Sequence, residues 1–197
     1  QCYQDFNDIR SQFYASSEWT SGYPAATGIG TQHGGILVDF NAVKGGIEII
    51  PLDNDWQKAA HVYSDEVLIS HRTDAEKGTP KFERGKSLSD YQCEMIYISG
   101  TAAIRGEESI VTGDVLVQTE ITLENIQHLI GLEEGREKLP EHSGKLELLR
   151  VYLKHEEDAK IVKEDMDKLC PDVPIVYLYA DVCREELLVE IEGIAYL

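Results

Sequence analysis

Basic residues are scarce in this chain: 18 lysines and arginines stand against 36 aspartates and glutamates, a formal net charge of −18. A surface of that sign repels a phosphate backbone over most of its area, which excludes nucleic acid as a partner class. Cysteines are also few. Cys2, Cys93, Cys170 and Cys183 are scattered and none pairs as CxxC, so a disulfide framework is not expected and a reducing cytoplasm is the default setting. The histidines His33, His61, His71, His128, His142 and His155 show neither HxxxH nor HExxH spacing, so neither a metal site nor a cofactor is expected. No apolar run of about eighteen residues occurs, so no membrane-spanning helix is expected. The chain opens at Gln1 rather than Met, which leaves room for an upstream segment or domain.

What is present suffices for a core. The 197 residues are 42 % apolar, enough for one domain or a domain with an extension. The first thirty residues interleave Tyr3, Phe6, Phe13, Tyr14, Trp19 and Tyr23 with Ser, Asp and Asn. Thr27-Gly28-Ile29-Gly30-Thr31-Gln32-His33-Gly34-Gly35 resembles a phosphate loop in composition only. Such loops follow a buried strand and open a helix, whereas this one leads into the apolar stretch Ile36–Val43, which reads as a strand. A turn or a pocket-rim loop is the better reading. Gly45-Gly46 then suggests a hairpin turn into Ile47–Ile50, and Glu66–Ser70 a further short strand. Arg72–Gly78 reads as the loop joining this extension, residues 1–79, to a core over residues 80–197.

The core has clearer periodicity. Glu94–Ile98 reads as a strand, Asp114 as the N-cap of a helix running to about Leu132, and Leu146–Leu153 as a strand. Glu156–Cys170 forms an amphipathic pattern stopped by Pro171, and Pro174–Ala180 and Leu187–Tyr196 close the chain as strands. This order predicts an α+β domain with helices on one face of a sheet. The last strand contains a conflict. Leu188, Glu190 and Glu192 should share one face, with Val189, Ile191 and Ile194 mostly on the other. A carboxylate in such a strand either faces water or serves as a proton donor in a pocket, its pKa raised by burial.

Four strings occur in the order and spacing of the YjgF/RidA superfamily, which residues 80–197 resemble: Ser99-Gly100-Thr101-Ala102; Gly113-Asp114-Val115 with Gln118-Thr119 and Glu124-Asn125-Ile126; Val151-Tyr152-Leu153-Lys154; and Val189-Glu190-Ile191-Glu192. Within it the chain is most similar to the chorismatases, enzymes that hydrolyse chorismate. The likeness is carried by the Ser99–Ala102 string, by Gly106–Ser109, by Gly113–Val115 and above all by Ala180–Gly193. The resemblance implies a chorismate-mutase-like sheet with two helices on one face, preceded here by a β-rich extension, and a homotrimer with sites in clefts between subunits. It also implies a small anionic substrate. Glu190 matches the catalytic glutamate. Cys183, seven residues before it, has the spacing of those chorismatases that yield 3-hydroxybenzoate. Ala102 matches the small residue that opens the pocket near the ring, beside Gly100 and Thr101.

Cleaving an enol ether with water requires a proton delivered to carbon, which a neutral carboxylic acid can supply. Holding a dianion inside an acidic protein requires local positive charge. Arg84 in the Pro80–Gly85 stretch, Arg150, Lys154 after Val151-Tyr152-Leu153, and Arg184 are the candidates. The chain departs from its relatives in several places. Pro174 and Ile175 stand where the imine deaminases carry a substrate-gripping arginine, Glu120 where many relatives have arginine, and Glu107 where they often have histidine. Chorismatases usually carry a second amino-terminal domain of similar size. The expectation is a chorismatase-like hydrolase acting on chorismate or a related small carboxylate, with Glu190 as general acid. The alternatives are a RidA-type imine/enamine deaminase and a non-catalytic trimer that binds a small metabolite.

Overall fold

Alternating apolar side chains in the second half of the chain generate a six-stranded mixed sheet, seen in a computed structural model that describes residues 2–17, 22–32, 34–64, 66–68, 78–90, 93–131 and 144–197. The strands are β1 (Glu48–Leu52), β2 (Gly85–Ser89), β3 (Glu94–Thr101), β6 (Lys145–Leu153), β7 (Ile175–Tyr179) and β8 (Val189–Tyr196), in the spatial order β1-β2-β3-β8-β6-β7. A two-stranded ribbon, β4 (Ile104–Arg105) with β5 (Glu108–Ser109), lies between β3 and the second helix in sequence. All neighbours pair antiparallel except β6 and β7. That parallel pair needs a crossover, which α3 (Ala159–Leu169) supplies.

Helices α2 (Val115–Leu129) and α3 cover one face of the sheet. Ile126 and Met166 pack there on Ile96, Leu149, Val151, Val189 and Ile191, and all seven are at most 2 % exposed. Burying each such side chain contributes roughly 1.5–3 kcal/mol relative to leaving it in water. The other face carries the polar members of the strands. Beneath one end of β8 a smaller cluster of Ala102, Ala103, Ile104, Val182 and Leu187 supports the approach loop.

The start of α2 is capped as its sequence predicts: Asp114 Oδ1 accepts the N–H groups of Leu116 and Val117 at 2.9 and 3.4 Å. The helix ends at Leu129 rather than near Leu132, which lies outside the described residues. Gly131 at φ 75° ends the run in the left-handed region that glycine adopts without strain. Cys170 follows α3, and Pro171 prevents its continuation.

The amino-terminal extension differs from the β-rich expectation. Cys2–Ser16 form a helix, α1, and the expected strand over Ile36–Val43 is irregular. Its Ile36, Leu37, Val38 and Phe40 are 70–88 % exposed. No hairpin joins it to β1, because β1 pairs with β2 and places Glu48 opposite Ser89. Alternation alone does not make a strand without a partner edge. Residues 66–68 form a turn rather than the start of a strand, and residues 69–77, which include the rest of that expected strand and Arg72–Lys77, lie outside the described residues. Leu188, expected beside the two carboxylates, precedes β8 and packs against the core instead. Among the described residues no helix is long and apolar enough to cross a membrane.

Replacing Asp114 by Ala should cost about 1 kcal/mol of unfolding free energy, read as a lower urea midpoint with an unchanged slope.

Candidate active site

Glu190 lies on β8 directly opposite Tyr152 of β6. Val189 and Ile191 point into the helix-covered core with no exposure, so pleat geometry sends Glu190 and Glu192 to the opposite face. That face is not open at Glu190, which is 5 % exposed. Its carboxyl rests against the backbone of Gly100. A Cβ added at residue 100 would overlap Glu190 Oε1 and come 2.8 Å from Thr27 Cγ2. Burial, with the Glu192 charge adding to it, pushes the Glu190 carboxyl up to about 8, against the opposing pull of the Arg84 guanidinium. At that value the group is roughly ten to one protonated at pH 7.

The cations come from two loops. Arg84, 3 % exposed, precedes β2 and donates to Lys58 O at 2.6 Å and to the Tyr63 hydroxyl. Arg184, 8 % exposed, precedes β8 and donates to Glu107 O at 2.8 Å and Ser109 Oγ at 3.0 Å. The Tyr63 ring lies within 5.6 Å of the Arg84 guanidinium and 5.4 Å of the Arg184 one. Both arginines thus spend their donors on carbonyls and hydroxyls. Among the described residues neither has a carboxylate within ion-pair distance, and the buried Arg84 Nε has no partner. A buried guanidinium whose donors meet only neutral groups is costly and a bound anion relieves that cost, although Arg184 also acts at longer range on the Glu186 carboxyl and helps to hold its pKa down.

The remaining candidates divide. Cys183 is a free thiol whose field reaches both Glu190 and Arg184; burial, then the Glu190 charge, pushes it up to about 12. It is a neutral thiol at physiological pH, not a thiolate nucleophile. Gly100 touches Glu190 directly. Thr101 turns its hydroxyl to Ser99 O at 2.9 Å, and Ala102 sits in the lower apolar cluster with its carbonyl accepting from Asn125 Nδ2 at 3.0 Å. Lys154 gives its ammonium to Glu185 O at 2.6 Å. Arg150 is engaged by Glu192 at 2.6 Å, and Glu192 also accepts the Tyr152 hydroxyl at 2.7 Å. Glu107 is held down to about 2 by the Ser64 N–H and by Lys58, so it stays ionised.

Two neighbours were not anticipated from the sequence. Thr27 lies over Gly100 and accepts its N–H at 3.0 Å, and Tyr63 separates the two arginines. The glycine-rich context of Thr27 signals a rim loop; nothing in the sequence around Tyr63 marks it. Among the described residues no group of three or more His, Cys, Asp or Glu side chains comes together to hold a metal ion.

Comparison with known proteins places this geometry in a family. No family model matches the chain. It is 35 % identical over 179 residues to a chorismatase of Streptomyces rapamycinicus, covering 87 % of this chain and 50 % of that protein. It is 32 % identical over 208 residues to a 3-hydroxybenzoate synthase of Streptomyces hygroscopicus, covering 98 % of this chain and 57 % of that protein. The crystal structure of a chorismatase matches at a TM-score of 0.74 and 28 % identity, over 98 % of this chain and 57 % of that one. The yeast protein YEO7 matches at a TM-score of 0.51 and 11 % identity, over 75 % of this chain and 98 % of that one, which speaks for the fold alone. The fold is the α+β YjgF/RidA-like one. The chain belongs to the YjgF/RidA superfamily, in its chorismatase branch. It spans about half the length of the curated relatives it matches.

Gly100→Ala should force the Glu190 carboxyl off its seat, because the new methyl occupies the position of Oε1. The expected cost is about 1–3 kcal/mol of stability, read by chemical denaturation, together with a lower Glu190 titration midpoint in 13C NMR.

Proposed function

We propose that the chain carries a chorismatase-like active site that hydrolyses chorismate or a related small carboxylate. The observation that carries the proposal is a buried carboxyl that feels the charge of the buried Arg84, with a second buried arginine, Arg184, on the same Tyr63 ring and neither guanidinium within ion-pair distance of a carboxylate among the described residues. The printed activities of the relatives supply the substrate class. Glu190 donates its proton to the terminal methylene of the enolpyruvyl ether, and the ether oxygen stabilises the resulting oxocarbenium carbon. Water adds to that carbon and releases a proton, and the hemiketal collapses to pyruvate and the ring alcohol. Arg84 and Arg184 take the substrate carboxylates, with Tyr63 spacing them. Cys183 borders the ring, while Gly100, Thr101 and Ala102 shape the floor.

Positive charge at the two arginines answers the steering problem that a net charge of −18 creates. Lys154 has a smaller part in this scheme, since its ammonium is already bonded to Glu185. Three free cysteines, Cys93, Cys170 and Cys183, suit a reducing cytoplasm. The exposed apolar residues Ile36, Leu37, Val38 and Phe40 support self-association, for which we propose a homotrimer. Light scattering at micromolar concentration should then return three times the chain mass, and a monomer would remove that part of the scheme.

The direct test is incubation with chorismate and an assay for released pyruvate. Glu190→Gln should lower turnover by about a hundredfold to ten-thousandfold while the protein stays folded, since the amide is close in shape but has no acidic proton. The wild-type rate should hold below pH 8 and fall about tenfold per unit above it, because only the protonated acid is competent. The same shift sets a stability slope. Its folded value of about 8 exceeds the ordinary 4.5, so its contribution to stability is complete below pH 4.5 and is lost as pH rises to about 8. Glu190→Gln should lack that slope in denaturation measured from pH 5 to pH 9.

A further inference from the structure

Glu190 is buried by a part of the chain far from it in sequence. Residues 22–30 form no regular element, yet they are stitched across the site at five places. The Tyr23 N–H donates to Glu83 Oε1 at 2.9 Å, and the Glu83 N–H donates to Pro24 O at 3.0 Å. The Ala26 N–H donates to Ser99 Oγ at 3.0 Å, and the Gly100 N–H donates to Thr27 Oγ1 at the same distance. Gly30 and Asp181 exchange both backbone hydrogen bonds, at 2.8 and 3.1 Å. The strap therefore joins the entry to β2, the end of β3 and the loop after β7. Thr27 is at its centre.

We propose that Thr27 is a positioning residue for the proposed reaction, its hydroxyl pinning the Gly100 backbone and its methyl excluding water from the Glu190 carboxyl, so that the strap makes this glutamate a proton donor. The inference rests on the reading of Glu190 given above. The Gly100 N–H is shared between two strap acceptors, Thr27 Oγ1 at 3.0 Å and Ala26 O at 3.3 Å, of which Thr27 supplies the side-chain one. The Glu190 carboxyl and the Thr27 methyl both crowd the place where a Cβ at Gly100 would sit, which makes β3 and the strap the two elements that meet there. The charged and titratable neighbours of Glu190 are Glu192 on β8, Tyr152 on β6, Cys183 in the loop before β8 and Arg84 before β2. Glu192 is itself engaged by Arg150 and Tyr152. Removing the Thr27 methyl leaves all of these charges unaltered and opens the carboxyl to water, and Thr27→Gly takes away the hydroxyl's bond to Gly100 as well. The backbone supports a fixed roof, because a Cβ at Gly30 would come 2.8 Å from Asp181 Cβ; the strap and that loop are in close contact at residue 30.

The test follows the carboxyl carbon of Glu190 by 13C NMR in glutamate-labelled protein, the resonance being assigned by its loss in Glu190→Gln. In Thr27→Gly the titration midpoint should fall by about one unit or more, a tenfold rise in acid dissociation. The alkaline limb of pyruvate release should move down with it. Thr27→Ser keeps the hydrogen bond to Gly100 and removes only the methyl. It should give a smaller fall, and it keeps the measurement available if Thr27→Gly fails to fold. A residue that merely stabilises the fold would lower the denaturation midpoint and leave the Glu190 titration unmoved. That result in a folded Thr27→Gly or Thr27→Ser protein overturns the proposal. A wild-type midpoint near 4.5 overturns it too, and with it the assignment of Glu190 as proton donor. A raised wild-type midpoint that neither variant moves rejects the strap's role alone.

Discussion

Placing a carboxylate on a strand whose backbone is paired on both sides is the constraint around which the site is organised. β8 lies between β3 and β6, so Glu190 has no freedom to swing its main chain toward solvent. Its side chain leaves the sheet on the face that the helices do not cover, and other parts of the chain must close over it. A glycine at residue 100 gives the carboxyl room, the segment from Gly22 to Gly30 shuts out water, and Arg84 provides an opposing charge that acts on it. The desolvation is local. Two residues further along the same strand, Glu192 meets Arg150 and Tyr152 and needs no such enclosure.

The loop that carries Cys183 and Arg184 is held by the polar side of α2 as well as by the apolar contacts of Val182 and Leu187. Gln118 has no exposure; its amide donates to Glu186 O at 2.9 Å and its carbonyl accepts the Leu188 N–H at 2.8 Å. Asn125, also fully buried, donates to Ala102 O and Ile104 O and receives Asn54 on its own backbone carbonyl. These amides lie in the strings that carry the family resemblance, yet apart from the Arg105 guanidinium on Asn125 Oδ1 the bonds just named are to backbone. Their role is to set where the loop runs. Each bond is directional, and a buried amide left without its partners is costly, so the loop has one low-energy path.

The legible part of the fold was the part built from periodicity. The strand read over Glu94–Ile98 extends to Thr101, the helix opening at Asp114 begins at Val115, and the closing strands agree within a few residues with β6, β7 and β8. Local pattern and tertiary burial coincide there. In the extension they separate. Ile36–Val43 is rich in strand-forming residues but meets no partner, and α1 has aromatic residues of middling helix propensity where a clear apolar stripe would have marked it. At the site, Glu190 stood out because a charge interrupts an apolar strand and because it matches the family's glutamate, whereas Arg84 and Arg184 were two of four cationic candidates, with Arg150 and Lys154, that the sequence did not rank. Thr27 and Tyr63 reach the site only through contacts that span the fold, with Thr27 and Gly100 73 residues apart. No spacing rule reports such a contact.

The uncovered apolar stretch from Ile36 to Phe40 sits on a molecule with a net charge of −18. Mutual repulsion between copies and attraction between their greasy strips therefore oppose each other, and dissolved salt tilts the balance. At about 0.15 M ionic strength the repulsion is already damped beyond roughly 8 Å, while contact between apolar surfaces is undiminished. Encounters through this strip consequently grow stickier as salt is added, the reverse of an association held by ion pairs. The salt response of any self-association through this strip is thus set by a segment that plays no part in the sheet.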